Sequence, residues 1–520
     1  MYPGEYAAAQ ADSPAFIMAD SGEVVSYGEY EARCNRLAHL LREQGLQRGD
    51  HYSIFMENNS RYLEACGAGE RSGLYYTCVN SYLTADELAY ILNNSESQIL
   101  ITSEACLVVA KEAIKQCPAV AQCIIVDGAS NDLRASDRTL NLDKATSGFP
   151  DTPIADQSCG SAMLYSSGTT GQPKGILRPL PEEPPEHLIP VASFMMQVMQ
   201  FRPGQMYLSP APLYHAAPHI SVNLTLRLGG TVIIMERFDP QRYLMLVEKY
   251  QVTHSQLVPT MFSKMLKLPE QSRMKYDLSS LEVAIHAAAP CPIPIKQQMI
   301  EWWGPIIIEY YGATEGLGFA VCNSEEWLAH PGTVGRVVFG DLHILDEQLQ
   351  PCALGEHGTL WFETASEFEY FNDPDRTAQA QSENGERSTV GDIGYLDSDG
   401  FLHLSDRAAF MIISGGVNIY PQESENLLIT HPKVADAAVF GVPNVEFGEE
   451  VKAVIELMPS YTPSDELAQE LIAFCRDHLA YMKCPRSIDF DPKLPRLPTG
   501  KLYKRELKDR YWGDQKSRII

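Results

Sequence analysis

The stretch Leu164-Tyr165-Ser166-Ser167-Gly168-Thr169-Thr170-Gly171-Gln172-Pro173-Lys174-Gly175 constrains this chain more than any other. It follows a short apolar run, Ser161 to Leu164, that reads as the end of a strand. Glycines, serines and threonines then crowd together ahead of Pro-Lys-Gly. Such a loop curls its backbone N–H groups and hydroxyls around phosphate oxygens, and Lys174 adds a cation. No spacing here supplies a Walker loop, whose second glycine is followed directly by Lys and Ser/Thr. A flexible linker is the plain alternative, but linkers rarely carry Pro-Lys-Gly between two apolar segments.

With 520 residues, 45% of them hydrophobic, the chain is too long for one core and implies two or more domains. A net charge of −26 argues against nucleic acid or an anionic membrane as the main partner. It does not oppose phosphate ligands, because local N–H groups, Lys and Mg²⁺ outweigh a distant acidic surface. The start MYPGEYAAAQADSP lacks the basic and apolar regions of a signal peptide, and no apolar run reaches the ~18 residues of a membrane span. The 12 cysteines are scattered with no C-x-x-C pair, as expected of reduced thiols in a cytoplasmic protein.

Ser26-Tyr27-Gly28-Glu29 predicts a helix opened by a capping box, continued through Leu37, Leu40 and Leu41 and ended at Gly45. Thr84-Ala85-Asp86-Glu87 repeats the device. Short β-like runs, Tyr52 to Phe55 and Ile99 to Thr102, lie between such helices, so a largely parallel sheet covered on both faces is expected. Residues 130–160 read as a surface crossing, and Pro179 to Glu186 as an exposed connection. Phe194 to Phe201, rich in Met and Phe, reads as core, though Met also suits an adaptable apolar tunnel. Near the end, Thr462 is expected to cap a helix with Pro463 first and Leu467, Leu471, Cys475 and Leu479 buried.

Further motifs follow in order. Pro212-Leu213-Tyr214-His215 precedes His286-Ala287-Ala288-Ala289-Pro290, which follows an apolar run. A β-branched strand runs into Glu309-Tyr310-Tyr311-Gly312-Ala313-Thr314-Glu315. Aromatic faces stack on bases, and a carboxylate is a hard oxygen ligand suited to Mg²⁺. Val390-Gly391-Asp392-Ile393-Gly394 offers a carboxylate able to accept from both hydroxyls of a diol. Asp406-Arg407, Ser414-Gly415-Gly416 and Leu497-Pro498-Thr499-Gly500-Lys501 complete the set.

Taken together, in this order, the motifs resemble those of the acyl-adenylate-forming superfamily: acyl-CoA synthetases, peptide-synthetase adenylation domains and beetle luciferases. The resemblance covers nearly the whole chain. It implies an α/β fold: a large N-terminal domain of layered sheets and helices over 1–405, a hinge at 406–409, and a small mobile C-terminal α+β domain over 410–520. It assigns Ser166, Ser167, Gly168, Thr169, Thr170, Gly171 and Lys174 to the ATP phosphates. Ala288, Ala289 and Pro290 become a shelf for adenine, Tyr311 stacks on it, and Glu309, beside Tyr310 and Gly312, accepts its amino group. Thr314 binds the α-phosphate and Glu315 holds Mg²⁺. Asp392 takes the ribose hydroxyls, Arg407 contacts ribose or phosphate, and His215 gates the acyl pocket. Gly415 and Gly416 border the CoA tunnel, and Lys501 bridges carboxylate and α-phosphate during adenylation.

The implied reaction joins an apolar carboxylic acid to CoA through an acyl-AMP. A carrier-protein thiol, or a single half-reaction, is the alternative. Three departures stand out: Arg178 where many relatives have a nearby His, His286-Ala287 where many have Ser-Gly, and Ala409 where most have Asp or Lys. Lys504 reads as a solvated charge and His219 as structural. A homodimer is left open.

Overall fold

The computed structural model describes residues 2–127, 138–166, 173–187, 190–363, 368–407, 410–414, 417–496 and 502–512. Two large sheets carry the N-terminal part. The first has six strands in the order Thr139–Asn141, Gln122–Ile125, Ile99–Thr102, His51–Phe55, Tyr75–Val79 and Ser161–Ala162, all paired in parallel. Every residue of His51–Phe55 is buried, as a strand covered on both faces must be. The second has nine strands. Its parallel centre runs through Ile307–Gly312, Val283–His286, His254–Leu257, Met206–Ser209, Thr231–Ile234 and Pro14–Met18. Phe319–Cys322, Arg336–Phe339 and Val24–Ser26 extend it by antiparallel pairing.

One apolar core joins the two sheets, with Ile54 and Tyr76 from the first packed with Val232 and Ile285 from the second. A five-stranded antiparallel sheet follows, built on Gly358–Glu363, Asp392–Leu396 and Leu402–Arg407. Residues from Ile412 onward form a separate sheet around the long hairpin Val434–Asn444 and Gly448–Leu457. That sheet has its own core of Ile412, Val439, Ile455, Leu471 and Cys475. Among the described residues no helix is long and apolar enough to cross a membrane. All twelve cysteines are free.

The helix signals behave as side-chain chemistry requires, with three amendments. Thr84 and Glu87 close a full capping box. Ser26 accepts from Glu29 N, but the Glu29 carboxylate turns to Arg33 instead of back to the cap. The late helix is Asp465–His478, capped by Ser464, whose extended backbone lets its hydroxyl accept from Leu467 N at 3.1 Å. Thr462 lies outside it, and Leu479 is only half-buried at its end. The 130–160 crossing contains the edge strand Thr139–Asn141 and the helix Leu142–Thr146, both too short to leave a periodic signal.

Candidate active site

The phosphate-loop motif sits on an antiparallel hairpin. Leu164–Ser166 pairs with Lys174–Leu177, and Ser166 stands opposite Lys174. Ser167 to Gly171 lie outside the described residues. The hairpin's outer strand pairs with Glu369–Tyr370, setting Ile176 opposite Tyr370. That pairing builds a cluster the sequence did not announce. Tyr370 Oη donates to Glu315 Oε1 at 2.8 Å, and Lys174 Nζ lies 4.3 Å from the Tyr370 ring centroid. Arg178, one residue past the strand, donates to the Thr314 carbonyl at 2.5 Å. Burial lowers the Arg178 pKa, while the nearby Glu315 carboxylate opposes that. Lys174, Arg178, Thr314, Glu315 and Tyr370 therefore converge, with Glu315 only 6% exposed.

The second assembly is a cleft of about 1170 Å³. Ala288, Ala289 and Pro290 line it from the turn after Val283–His286, and Glu309, Tyr310, Tyr311 and Gly312 from the neighbouring strand end. Ala288 holds φ at +74°, a conformation costing a non-glycine residue on the order of 1 kcal/mol. Such strain is kept where surrounding structure fixes a functional shape. Asp392 enters from the adjacent sheet, and Tyr311 Oη donates to its Oδ2 at 2.7 Å. An aromatic face beside a carboxylate suits a base joined to a sugar diol. Arg407 is the strand partner of Asp392.

Glu309 needs an amended reading. Its Oε2 is an ion-pair partner of Lys296, a fully buried cation on the helix Ile293–Trp303, and lies 3.4 Å from His286 Nε2. Burial alone would raise its pKa; His286 and Lys296 prevail and hold the carboxyl well below the usual range. The side chain lines the cleft while one oxygen is committed behind it. Tyr310 also turns away from a simple ligand role: its hydroxyl accepts from Gln256 at 2.8 Å and its ring stacks on Phe319.

His215 stands at the N-cap position of the helix Ala216–Arg227, with no cap hydrogen bond from its side chain, and packs on Tyr214 at a centroid distance of 4.2 Å. Its Nε2 and the Tyr214 hydroxyl are both buried without a hydrogen-bond partner among the described residues. Two adjacent orphans of this kind fit a polar group arriving with a ligand. Burial pushes the His215 pKa down to about 3, so the ring is neutral at physiological pH. The neutral ring stabilises the fold fully above about pH 6.5 and progressively less as pH falls toward 3. Replacing His215 with Gln is therefore expected to flatten acid sensitivity, by up to about 1.4 kcal/mol per pH unit below 6.5. Denaturant unfolding at pH 5 and pH 7 checks this.

Arg407 has no described side chain, and Gly415, Gly416 and Lys501 lie outside the described residues. The chain resumes at Leu502, which pairs with Arg496. Lys504 is not solvated as its spacing implied. It is 6% exposed, pairs with Glu425 at 2.9 Å and lines the cleft, because its helix Lys504–Trp512 packs on the strand Val434–Asn444. Lys267 Nζ donates across the cleft to the Val434 and Ala435 carbonyls at 3.1 and 3.3 Å. The C-terminal part thus closes one side of the cleft.

A hairpin carrying the glycine- and hydroxyl-rich motif, a buried carboxylate of the kind Mg²⁺ takes, and a cleft that sets an aromatic face beside a carboxylate and is closed on one side by a small second part suit an adenylate-forming ligase. Comparison with known proteins agrees. Residues 4–369 match the AMP-binding enzyme family and residues 423–501 the AMP-binding enzyme C-terminal domain, and the chain belongs to this family. It is 32% identical to a feruloyl-CoA synthase of Amycolatopsis sp, covering 94% of each chain. It is 29% identical to the fatty acid–[acyl-carrier-protein] ligase ScoC of Streptomyces coeruleorubidus, covering 96% of this chain and 94% of that one. ATP-bound MatB from Rhodopseudomonas palustris superposes with a TM-score of 0.79 at 26% identity, covering 99% of each chain. The activity class is that of the AMP-forming acyl-CoA ligases.

Proposed function

We propose that the protein activates an apolar carboxylic acid as its acyl-AMP, releasing pyrophosphate, and then transfers the acyl group to CoA, releasing AMP. The observation that carries this is the convergence of Lys174, Arg178, Thr314 and Glu315, the last two a few residues along the chain from Tyr311, whose hydroxyl meets Asp392. A carboxylate is a poor electrophile, because attack must add charge to an anion. Exchange of one oxygen for AMP supplies a leaving group. The acid oxygen attacks the α-phosphorus, a new P–O bond forms, and pyrophosphate departs with its electron pair. Thr314 and Lys174 orient the phosphates, and Lys501 brings positive charge to the crowded phosphorus. Glu315, whose Oε1 is already fixed by Tyr370, suits Mg²⁺, which takes few protein carboxylates beside phosphate oxygens. Bound there, Mg²⁺ would neutralise developing charge on the departing pyrophosphate.

Adenine lies on the Ala288–Pro290 shelf against Tyr311, with Glu309 and Gly312 beside it, and ribose on Asp392 and Arg407. His215, neutral, faces the acyl carboxylate as a hydrogen-bonding rather than charged group. In the second step the CoA sulfur attacks the acyl carbon and AMP leaves. Lys501 and an incoming thiol cannot share one place, so domain 410–520 turns about 406–409 relative to domain 1–405. That motion must break the Lys267 contacts to Val434 and Ala435. Gly415 and Gly416 then border the thiol path. A carrier-protein thiol is the second reading, supported by the similarity to ScoC. Free, reduced cysteines fit a cytoplasmic setting.

A panel of aliphatic, aryl and polycyclic acids, scored for pyrophosphate release with and without CoA, tests the proposal. Apolar acids are expected to release pyrophosphate and, with CoA, to yield thioester and AMP. Release without thioester, restored by a pantetheinylated carrier protein, would favour the second reading. No acid-dependent release would overturn both.

A further inference from the structure

Two cysteines and a histidine meet in the core, apart from the residues that line the cleft. Cys66 comes from the helix Tyr62–Arg71, Cys78 from the strand Tyr75–Val79, and His219 from the helix Ala216–Arg227. The two Sγ atoms are 4.0 Å apart, and both sulfurs and one imidazole nitrogen lie within 4.8 Å of one another. All three side chains are buried. Two thiolates bonded tetrahedrally to one cation at ~2.3 Å stand about 3.8 Å apart. A disulfide needs about 2.0 Å; at 4.0 Å the two thiols are in hydrogen-bond contact, a separation that two ligands of one ion also have.

The neighbours of His219 decide which nitrogen is available. Tyr76 has one hydroxyl proton, and it goes to Glu70 Oε1 at 2.9 Å. Its oxygen also lies 2.8 Å from His219 Nε2. The Asn223 amide, 2.9 Å from the same nitrogen, is also held by Glu70 at 2.8 Å. Nε2 is thus engaged by two neighbours, which leaves Nδ1, buried and without a partner among the described residues, as the nitrogen open to a ligand. Metal-binding histidines are fixed in this way, one nitrogen anchored to a hydrogen-bonded chain that ends in a carboxylate.

We propose that Cys66, Cys78 and His219 bind one thiophilic divalent cation of the Zn²⁺ or Cd²⁺ class. Both thiols release their protons to solvent, two sulfur–metal bonds form, and His219 Nδ1 supplies a third donor. Two thiolates cancel the cation's charge, which suits an apolar core. The ion ties three elements together. Because His219 is one helical turn beyond His215, it also clamps the helix that presents His215.

The test uses the full-length enzyme, chelator-stripped and kept reduced with a phosphine, titrated with Cd²⁺ alone. One tightly held equivalent is expected after desalting, with a thiolate-to-cadmium charge-transfer band and a raised melting temperature. C66A and C78A, each a swap between small apolar side chains, are expected to lose the band and weaken binding at least about tenfold. Acid-dependent pyrophosphate release shows that each variant is folded. H219N offers a third check that leaves both thiols in place and is expected to weaken binding as well. Cadmium binding in the C66A/C78A double variant equal to that of the parent, or no stoichiometric binding by the parent, would overturn the proposal.

Discussion

Replacing Lys501 with Ala is expected to abolish AMP formation from acid and ATP while leaving thioester formation from a supplied acyl adenylate largely intact. The two half-reactions place different demands on charge. Adenylation brings a carboxylate against an α-phosphate, so two anions must be held together while a third departs. Removing one preorganised positive group from such a site costs on the order of 10²–10³ in rate, more where the group serves both reacting anions. Thiol attack on the acyl carbon has a neutral acyl centre and a good leaving group already built, and needs no bridge at the phosphate. The measurement is single-turnover release of pyrophosphate from acid plus ATP, beside thioester yield from synthetic acyl-AMP plus CoA. Equal losses in both would remove Lys501 from the role proposed for it.

Glu315→Gln carries the second large effect, for a different reason. The substitution keeps shape and keeps an acceptor for the Tyr370 hydroxyl, now 2.8 Å from the carboxylate, so the local fold is retained. It removes the negative charge that suits a magnesium ion and leaves Arg178, at 2.5 Å from the Thr314 carbonyl, without its counter-charge nearby. The adenylation rate is expected to fall about 10²–10³-fold. The apparent requirement for Mg²⁺ is expected to rise, so that high magnesium recovers part of the loss. Melting temperature should change little. A variant with parental adenylation at limiting Mg²⁺ would separate Glu315 from metal binding.

What the chain revealed about itself depended on how local each signal was. Caps such as Thr84 with Glu87 are settled within one turn and read directly from sequence. The parallel centre of the first sheet was legible because strand and helix patterns alternate on a short period. The strand Thr139–Asn141 was not, since three residues carry no periodicity. Thr462 competed with Ser464 for one helix start, and backbone conformation chose the latter.

The site followed the same rule. Tyr311 and Asp392 each sit in a short motif, but their contact joins residues 81 positions apart. Tyr370 gave no hint of its bond to Glu315, which is 55 positions away. Lys296 gave no sign at all: a lysine on a helix is ordinarily solvated, and here the long-range partner Glu309 holds it in the core. Lys504 misled in the same way, through Glu425. Buried ion pairs across distant segments are the class of feature that one-dimensional spacing conceals.

The most direct measurement is a crystal structure of the enzyme with a non-hydrolysable acyl-sulfamoyl adenosine. Adenine should rest between Tyr311 and Ala289, both ribose hydroxyls on Asp392, and the sulfamoyl group beside Thr314, with the acyl chain running past His215. A ligand seated elsewhere, with Asp392 still bonded to Tyr311 and no contact to Thr314, would contradict the account.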